Sequence, residues 1–136
     1  SMKKIIIPDG EESSTYEMYF NDCDTKLTFY LVPDEKQILI NKYELEQVAR
    51  ITSEHKIMDC FGEPHYFVIY NNDPIRHNPA PLYTLKQFLN GVEAMELILG
   101  KDNHTAHILE CKTRLLGLLK CESHPYHIAY GQLTGR

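Results

Sequence analysis

The chain has 136 residues, a formal net charge of −5, 43% hydrophobic residues and 24% charged residues. This length is typical of one domain and suffices to bury a hydrophobic core, so we predict a single domain over residues 1–136. The acidic balance argues against general binding to nucleic acids, and no apolar run reaches the roughly 20 residues of a membrane helix. Ser1 precedes Met2 and is interpreted as a residue added by cloning.

The first part of the chain has the period-two hydrophobic pattern of β-strands. The segment STYEMYF places Tyr16, Met18 and Phe20 on one face, and LTFYLV repeats the pattern after the turn-rich segment NDCDTK. These two segments predict an antiparallel hairpin. KKIII is a candidate neighbouring strand, and QILI predicts a further short strand.

The first helix is predicted at NKYELEQVARITSEHK. Asn41 and Glu44 have the spacing of a capping box, and Leu45 and Val48 then lie on one helical face. After this helix, KIMDCF and HYFVIY are joined by a short turn that contains Pro64, where a missing N–H breaks no strand pairing. These two segments predict a second hairpin.

Residues 71–83, NNDPIRHNPAPLY, contain three prolines and three asparagines, which predict an ordered loop. Thr84 and Gln87 then form a second capping box, which begins a helix over LKQFLNGVEAMELIL. We expect its apolar stripe to be widened by Leu97 and Ile98. The main residues of that stripe are Leu85, Phe88, Leu89, Val92, Met95 and Leu99.

A third helix is predicted near the C-terminus, within the segment that begins at His104. The element order is therefore β-β-β-α-β-β-α-α. This order indicates a single α+β domain, in which three helices pack on a mainly antiparallel sheet that contains the two hairpins.

The segment from His104 to His127, HTAHILECKTRLLGLLKCESHPYH, contains four histidines and two cysteines. On a helix, His104, His107 and Cys111 fall on the apolar stripe, so we expect them to face the protein interior. Histidine and cysteine at this spacing are ligands that zinc prefers. Cys121 and His124 would supply a second pair of ligands.

Two interpretations of this segment remain open. In the first, the segment binds zinc or another first-row transition metal, and the protein is a metal-binding protein or a metal-dependent hydrolase. In the second, Cys111 packs as a small apolar residue and the histidines bond to backbone groups. Cys111 and Cys121 lie about 15 Å apart along a continuous helix, so one ion would bind both pairs only if the helix broke, for example at Gly117.

Cys60, His65 and Asp59 suggest a thiol-based catalytic site, because the histidine could approach the thiol across the predicted second hairpin. The alternative is that Cys60 is a core residue. No phosphate-binding loop and no hydrolase or metalloprotease motif occurs in the sequence.

The hypothesis that we favour is a small cytoplasmic, non-enzymatic domain that binds a protein or regulates one, as inhibitor and immunity proteins do. It needs no cofactor and no membrane, and a homodimer is one form that it could take. Tyrosine is enriched in protein interfaces, and loops often carry function. The expected interaction surface therefore consists of His77, Tyr83, Tyr126 and Tyr130.

Overall fold

The computed structural model of the chain describes residues 2–7, 15–20, 23–32, 35, 37–48, 59–70, 80–99, 109–110, 112–114 and 116–117. Within these ranges, six strands form one sheet and helices pack on it, which confirms the predicted α+β class. The strands are β1 (Lys3–Ile7), β2 (Thr15–Phe20), β3 (Cys23–Val32), β4 (Gln37–Asn41), β5 (Tyr66–Tyr70) and β6 (Ala80–Thr84). The helices include α1 (Lys42–Val48) and α2 (Leu85–Leu99), and residues 109–110, 112–114 and 116–117 are also helical.

The strands lie in the order β1-β5-β6-β4-β3-β2. The pair β1 and β5 is parallel, and the other pairs are antiparallel, as the prediction of a mainly antiparallel sheet requires. The predicted hairpin of β2 and β3 is confirmed. The expectation that KKIII lies beside this hairpin is wrong, because β1 occupies the opposite edge of the sheet.

The second predicted hairpin is also wrong in its first strand. Residues 59–61 are helical, and the antiparallel neighbour of β5 is β6. The predicted loop 71–83 therefore ends in a strand. Pro81 is tolerated in β6 because the pairing of β6 with β4 begins only at Leu82, so on that side its missing N–H breaks no ladder bond. Residues 71–79 lie outside the described ranges.

Helix α1 begins as predicted, at a side-chain cap. The Asn41 Oδ1 accepts a hydrogen bond from the Glu44 amide at 3.1 Å, which satisfies one of the unpaired amides of the first turn. The expected reciprocal bond is replaced by a longer-range one. The Glu44 carboxylate instead accepts bonds from the backbone N–H and the hydroxyl of Thr28, at 3.0 and 3.2 Å.

Helix α2 has the complete capping box that the sequence predicts. The Thr84 hydroxyl accepts from the Gln87 amide at 3.1 Å, and the Gln87 Oε1 accepts from the Thr84 amide at 3.0 Å. The buried stripe consists of Leu85, Phe88, Val92 and Met95. The expectation that Leu97 widens this stripe is wrong. Leu97 is 88% exposed, because it lies about 200° around the helix from Met95.

The sheet has a hydrophobic layer on each face. On the face that we call the helix face, α1 and α2 pack on residues of β2, β3, β4 and β6, and Phe61 joins this core. The core residues of the helix face are Met18, Leu27, Phe29, Ile38, Ile40, Leu45, Val48, Phe61, Tyr83, Leu85, Phe88, Val92 and Met95. On the opposite face, the buried cluster consists of Ile5, Tyr30, Leu39, Val68 and Leu82.

Phe61 joins the helical residues 59–61 to the core of the helix face. Its ring stacks on Tyr83, with ring centroids 5.7 Å apart, and on Phe88 at 6.4 Å. Gly91 of α2 lies against the same ring, where a Cβ would overlap ring carbons. The side-chain Nε2 of Gln87 donates to the backbone carbonyls of Phe61 and Glu63. The capping residue of α2 therefore also holds this segment in place.

Candidate functional site

The predicted interaction surface is not assembled by the described residues. Tyr83 lies in the core with no exposed surface, and its hydroxyl donates to the Gly62 carbonyl at 3.0 Å. Tyr83 is buried because it belongs to β6, a central strand, and not to a loop. His77, Tyr126 and Tyr130 lie outside the described ranges.

The predicted metal ligands also lie outside those ranges: they are His104, His107, Cys111, Cys121 and His124. In the parts of the chain that are described, no group of three potential ligands is close enough to hold a metal ion. Leu109 and Leu116 of the third predicted helix do pack against the core of the helix face. The backbone is helical at Gly117, where one ion binding both ligand pairs would need a break.

Cys60 lacks the properties of a catalytic nucleophile. Its thiol is free and half-buried, and it packs against the core of the helix face. Burial, followed by the nearby charge of Asp59, raises the pKa of the Cys60 thiol, so the reactive thiolate is disfavoured at neutral pH. Cys60 is therefore a packing residue, and His65 is exposed on the segment that leads into β5.

Among the described residues, the outer edge of β1 is one accessible hydrophobic feature. The Lys3 amide donates to the His65 carbonyl at 2.8 Å, which fixes the phase of the parallel ladder between β1 and β5. Alternate residues of a strand direct their backbone groups to opposite sides. The backbone groups of Lys3, Ile5 and Ile7 thus bond to β5. The backbone N–H and C=O groups of Lys4 and Ile6 point outward, away from β5. Within the described ranges, no strand pairs with that side of β1.

Apolar side chains lie beside this open edge. Ile6 is 52% exposed, and its ladder partner Ile69 is half-buried, as is Phe67, the partner of Lys4. All four side chains lie on the helix face, where α2 packs mainly on β4 and β6 and so does not cover them. We call Lys4, Ile6, Phe67 and Ile69 the β1 edge surface.

At the other edge of the sheet, β2 carries polar contacts and an irregular register. The Arg114 Nη1 donates to the Tyr19 carbonyl at 2.6 Å, and a register shift between Met18 and Phe20 interrupts the ladder. The Glu17 carboxylate accepts bonds from Lys26, at 2.8 Å, and from the Tyr19 hydroxyl. These two bonds, the one from Lys26 foremost, lower the pKa of Glu17 below its ordinary value.

Glu44 is a half-buried carboxylate, and the charges of Lys26 and Glu17 at this polar edge act on it. It bonds to the Thr28 backbone where the ladder between β3 and β4 has ended, because the chain turns into α1 after Asn41. Burial raises the pKa of Glu44, and the two hydrogen bonds from Thr28 partly oppose that shift. The carboxylate thus replaces the missing strand carbonyl and joins α1 to β3.

The β1 edge surface was missed by the sequence interpretation, although KKIII was recognised as a candidate strand. Three consecutive isoleucines suggest burial on both faces, whereas Ile5 is 7% exposed and Ile6 is 52% exposed. The alternation of Lys4 and Ile6 was the available signal, since an edge strand often carries lysine.

No helix within the described ranges combines the length and the apolar character that a membrane span requires. The chain matches no known family model, and neither the curated proteins nor the solved structures contain a significant match to it.

Proposed function

We propose that this chain is a small, non-enzymatic domain that binds a protein or regulates one, in the manner of inhibitor and immunity proteins. The observation that carries the proposal is the β1 edge surface. It combines outward-facing backbone groups of Lys4 and Ile6 with an exposed isoleucine and two half-buried apolar neighbours. An unpaired strand edge is a template on which another chain adds a strand.

The chemistry of the β1 edge surface supports a protein partner over other classes. Main-chain hydrogen bonds give affinity to strand addition, and adjacent apolar side chains give it specificity. The formal net charge of −5 disfavours nucleic acid as the partner. We assign the domain to the cytoplasm, and the free thiol of Cys60 is consistent with a reducing compartment.

The proposal is tested by photo-crosslinking in the cells that express the protein. A benzophenone amino acid replaces Ile6 in one variant and Leu97 in the control variant, because Leu97 is also exposed but lies outside the β1 edge surface. We expect a discrete adduct from position 6 and none from position 97, with mass spectrometry identifying the captured chain. The absence of an adduct at position 6, or identical adducts from both positions, would contradict the proposal.

A further inference from the structure

We propose that the strand that pairs with β1 is the β1 strand of a second copy, added antiparallel about a two-fold axis through Ile5. This inference rests on the proposed function, and it names the partner of the same surface. It would join two six-stranded sheets into one continuous sheet in a homodimer.

The outward-facing backbone groups define which residues can pair. Lys4 and Ile6 direct their N–H and C=O groups away from β5, as the bond from the Lys3 amide to the His65 carbonyl requires. In an antiparallel pair, two outward-facing residues that lie opposite each other exchange both hydrogen bonds. A two-fold axis at Ile5 places Lys4 of each copy opposite Ile6 of the other. Each of these two pairs exchanges two hydrogen bonds, which gives four main-chain bonds.

The neighbouring symmetric registers are disfavoured by charge or by the number of main-chain bonds. A two-fold axis at Lys4 places the two Lys4 ammonium groups directly opposite each other, and like charges in that position are destabilising. An axis at Ile6 leaves Ile6 as the one outward-facing residue of Lys3–Ile7 that pairs with the same strand of the second copy, which gives two main-chain bonds instead of four. The axis at Ile5 avoids both, since each Lys4 then faces an isoleucine.

One of the two positive charges of β1 is neutralised by an ion pair within the same copy. The Lys3 ammonium forms an ion pair with Glu35, so Lys3 brings no uncompensated charge to the pairing. Lysines on an edge strand commonly limit strand addition. Of Lys3 and Lys4, Lys4 has the outward-facing backbone, so its charge is the one that the pairing must accommodate. In the proposed register its charge lies diagonal to that of the second Lys4, and not opposite.

The same register continues the hydrophobic layers across the two-fold axis. On the opposite face, Ile5 packs with Val68, and the axis would bring Ile5 of each copy together. On the helix face, Ile6, Phe67 and Ile69 of the two copies would flank the axis. Two strands of five residues bury less than the roughly 1,600 Å² of a standard interface. We therefore expect a weak dimer that depends on concentration, with a Kd between about 1 μM and about 1 mM.

The first experiment is sedimentation velocity of the full chain from about 1 μM to about 1 mM. We expect a shift from monomer to dimer for the wild type and for Lys4→Ala, which keeps the outward-facing N–H. Lys4→Pro removes that N–H without removing a bond to β5, so it should stay monomeric over the whole range. A wild type that stays monomeric, or a Lys4→Pro variant that dimerises like the wild type, would overturn the inference.

A disulfide trap tests the register and remains informative if Lys4→Pro fails to fold. Residues on the two-fold axis form a non-hydrogen-bonded pair with Cα atoms about 4.5 Å apart, which a disulfide can join. Ile5→Cys should therefore link to itself under mild oxidation more readily than Lys4→Cys, with peptide mapping to exclude the native cysteines. Faster linkage at position 4 would contradict the register.

The two proposals fail in distinguishable ways. If the wild type stays monomeric and position 6 crosslinks to a different protein, the proposed function stands and self-pairing is wrong. If position 6 captures no chain and the protein stays monomeric, both are wrong. A captured second copy, with the expected sedimentation results, supports self-pairing and, with it, protein binding by strand addition at the β1 edge surface.

Discussion

The two halves of the sheet differ in what covers their helix face. Over β3, β4 and β6, the helices α1 and α2 bury a core in which Phe61 stacks on Tyr83 and Phe88. Over β1 and β5, Ile6 is 52% exposed and Phe67 is half-buried. We call these the covered half and the open half.

We expect the covered half to stabilise the fold and the open half to form interactions with other chains. Burial of apolar surface is the main favourable contribution to folding, so the covered half should account for most of the stability of the described structure. In the open half, Ile6 is exposed and the outward-facing backbone groups of β1 pair with no described strand, which is typical of an interaction site. Substitutions in the two halves should therefore have different consequences.

The largest loss of folding stability is expected from a substitution at Gly91 in the covered half. A Cβ at this position overlaps the ring of Phe61, which is 3% exposed and enclosed by other aromatic rings, so Gly91→Ala must displace core side chains. Overpacking of this kind costs about 1–3 kcal/mol, and we expect the upper end of that range. Urea denaturation of the purified variant measures the loss.

Gly117→Ala is the matched control. Gly117 is helical and exposed, and beyond its chain neighbours and its own helix backbone a Cβ there would meet no atom within 4 Å. Alanine stabilises a helix interior by about 0.5–1 kcal/mol relative to glycine, so this variant should be more stable than the wild type. If both alanine variants had similar stability, the close packing of Phe61 on α2 would be wrong.

The second effect is expected at Gln87, where the structure and the local sequence pattern disagree. Glutamate is an ordinary third residue of a capping box, so the sequence alone predicts that Gln87→Glu is neutral. In the structure, the Gln87 amide nitrogen donates to the carbonyls of Phe61 and Glu63, and a carboxylate cannot donate. We expect Gln87→Glu to cost about 1–3 kcal/mol.

The measurement is chemical denaturation of Gln87→Glu beside Thr84→Ser, which keeps the cap hydroxyl and should be nearly silent. If Gln87→Glu proved as stable as the wild type, the hydrogen bonds to the segment around Phe61 would contribute nothing, and the second role of Gln87 would be refuted.

These variants also show where prediction from the sequence succeeds. Local signals gave the start of both helices, because a cap depends on residues three apart, such as Asn41 with Glu44 and Thr84 with Gln87. The hydrogen bonds from Thr28 to the Glu44 carboxylate were not predictable, because Thr28 lies on a strand that is distant in sequence. A local pattern contains no information about which strand becomes its neighbour.

The candidate site was less predictable than the fold for the same reason. Tyr83 was assigned to an interaction surface because tyrosine is enriched in interfaces and its segment was predicted to be a loop, yet pairing with β4 and β5 makes residues 80–84 a buried strand. Ile5 and Ile6 are the same residue type, and their exposures differ because they lie on opposite faces of β1 and α2 does not cover the helix face there.

The third effect concerns the pH dependence of Glu44. Burial raises the pKa of Glu44 in the folded state above its ordinary value of 4.5, so the folded state binds the proton more tightly than the unfolded chain. The stability of the wild type relative to Glu44→Gln should therefore rise as pH falls from about 7 to about 4, because protonation removes the cost of the half-buried charge. Thermal unfolding of both proteins across this range measures the difference.

Glu17→Gln provides a control of opposite sign. Hydrogen bonds from Lys26 and Tyr19 lower the pKa of Glu17, so its contribution to stability is present above the ordinary value of 4.5 and is lost as pH falls. The wild type should thus lose stability relative to Glu17→Gln over the acid range. Parallel pH profiles for the two variants would show that one of the two assigned directions is incorrect.

The smallest effect is expected in the open half, from the same substitution at adjacent positions of β1. Ile5→Val removes a buried methylene group and should cost about 0.5–1.5 kcal/mol. Ile6→Val removes one from a side chain that is 52% exposed, so it should change the unfolding free energy by less than about 0.5 kcal/mol in dilute protein. Equal costs in dilute protein would mean that Ile6 is covered in the monomer, and the distinction between the halves would fail at its edge. A cost at Ile6 that appears only as the protein concentration rises would instead locate Ile6 in the proposed contact between two copies, because association adds stability by mass action.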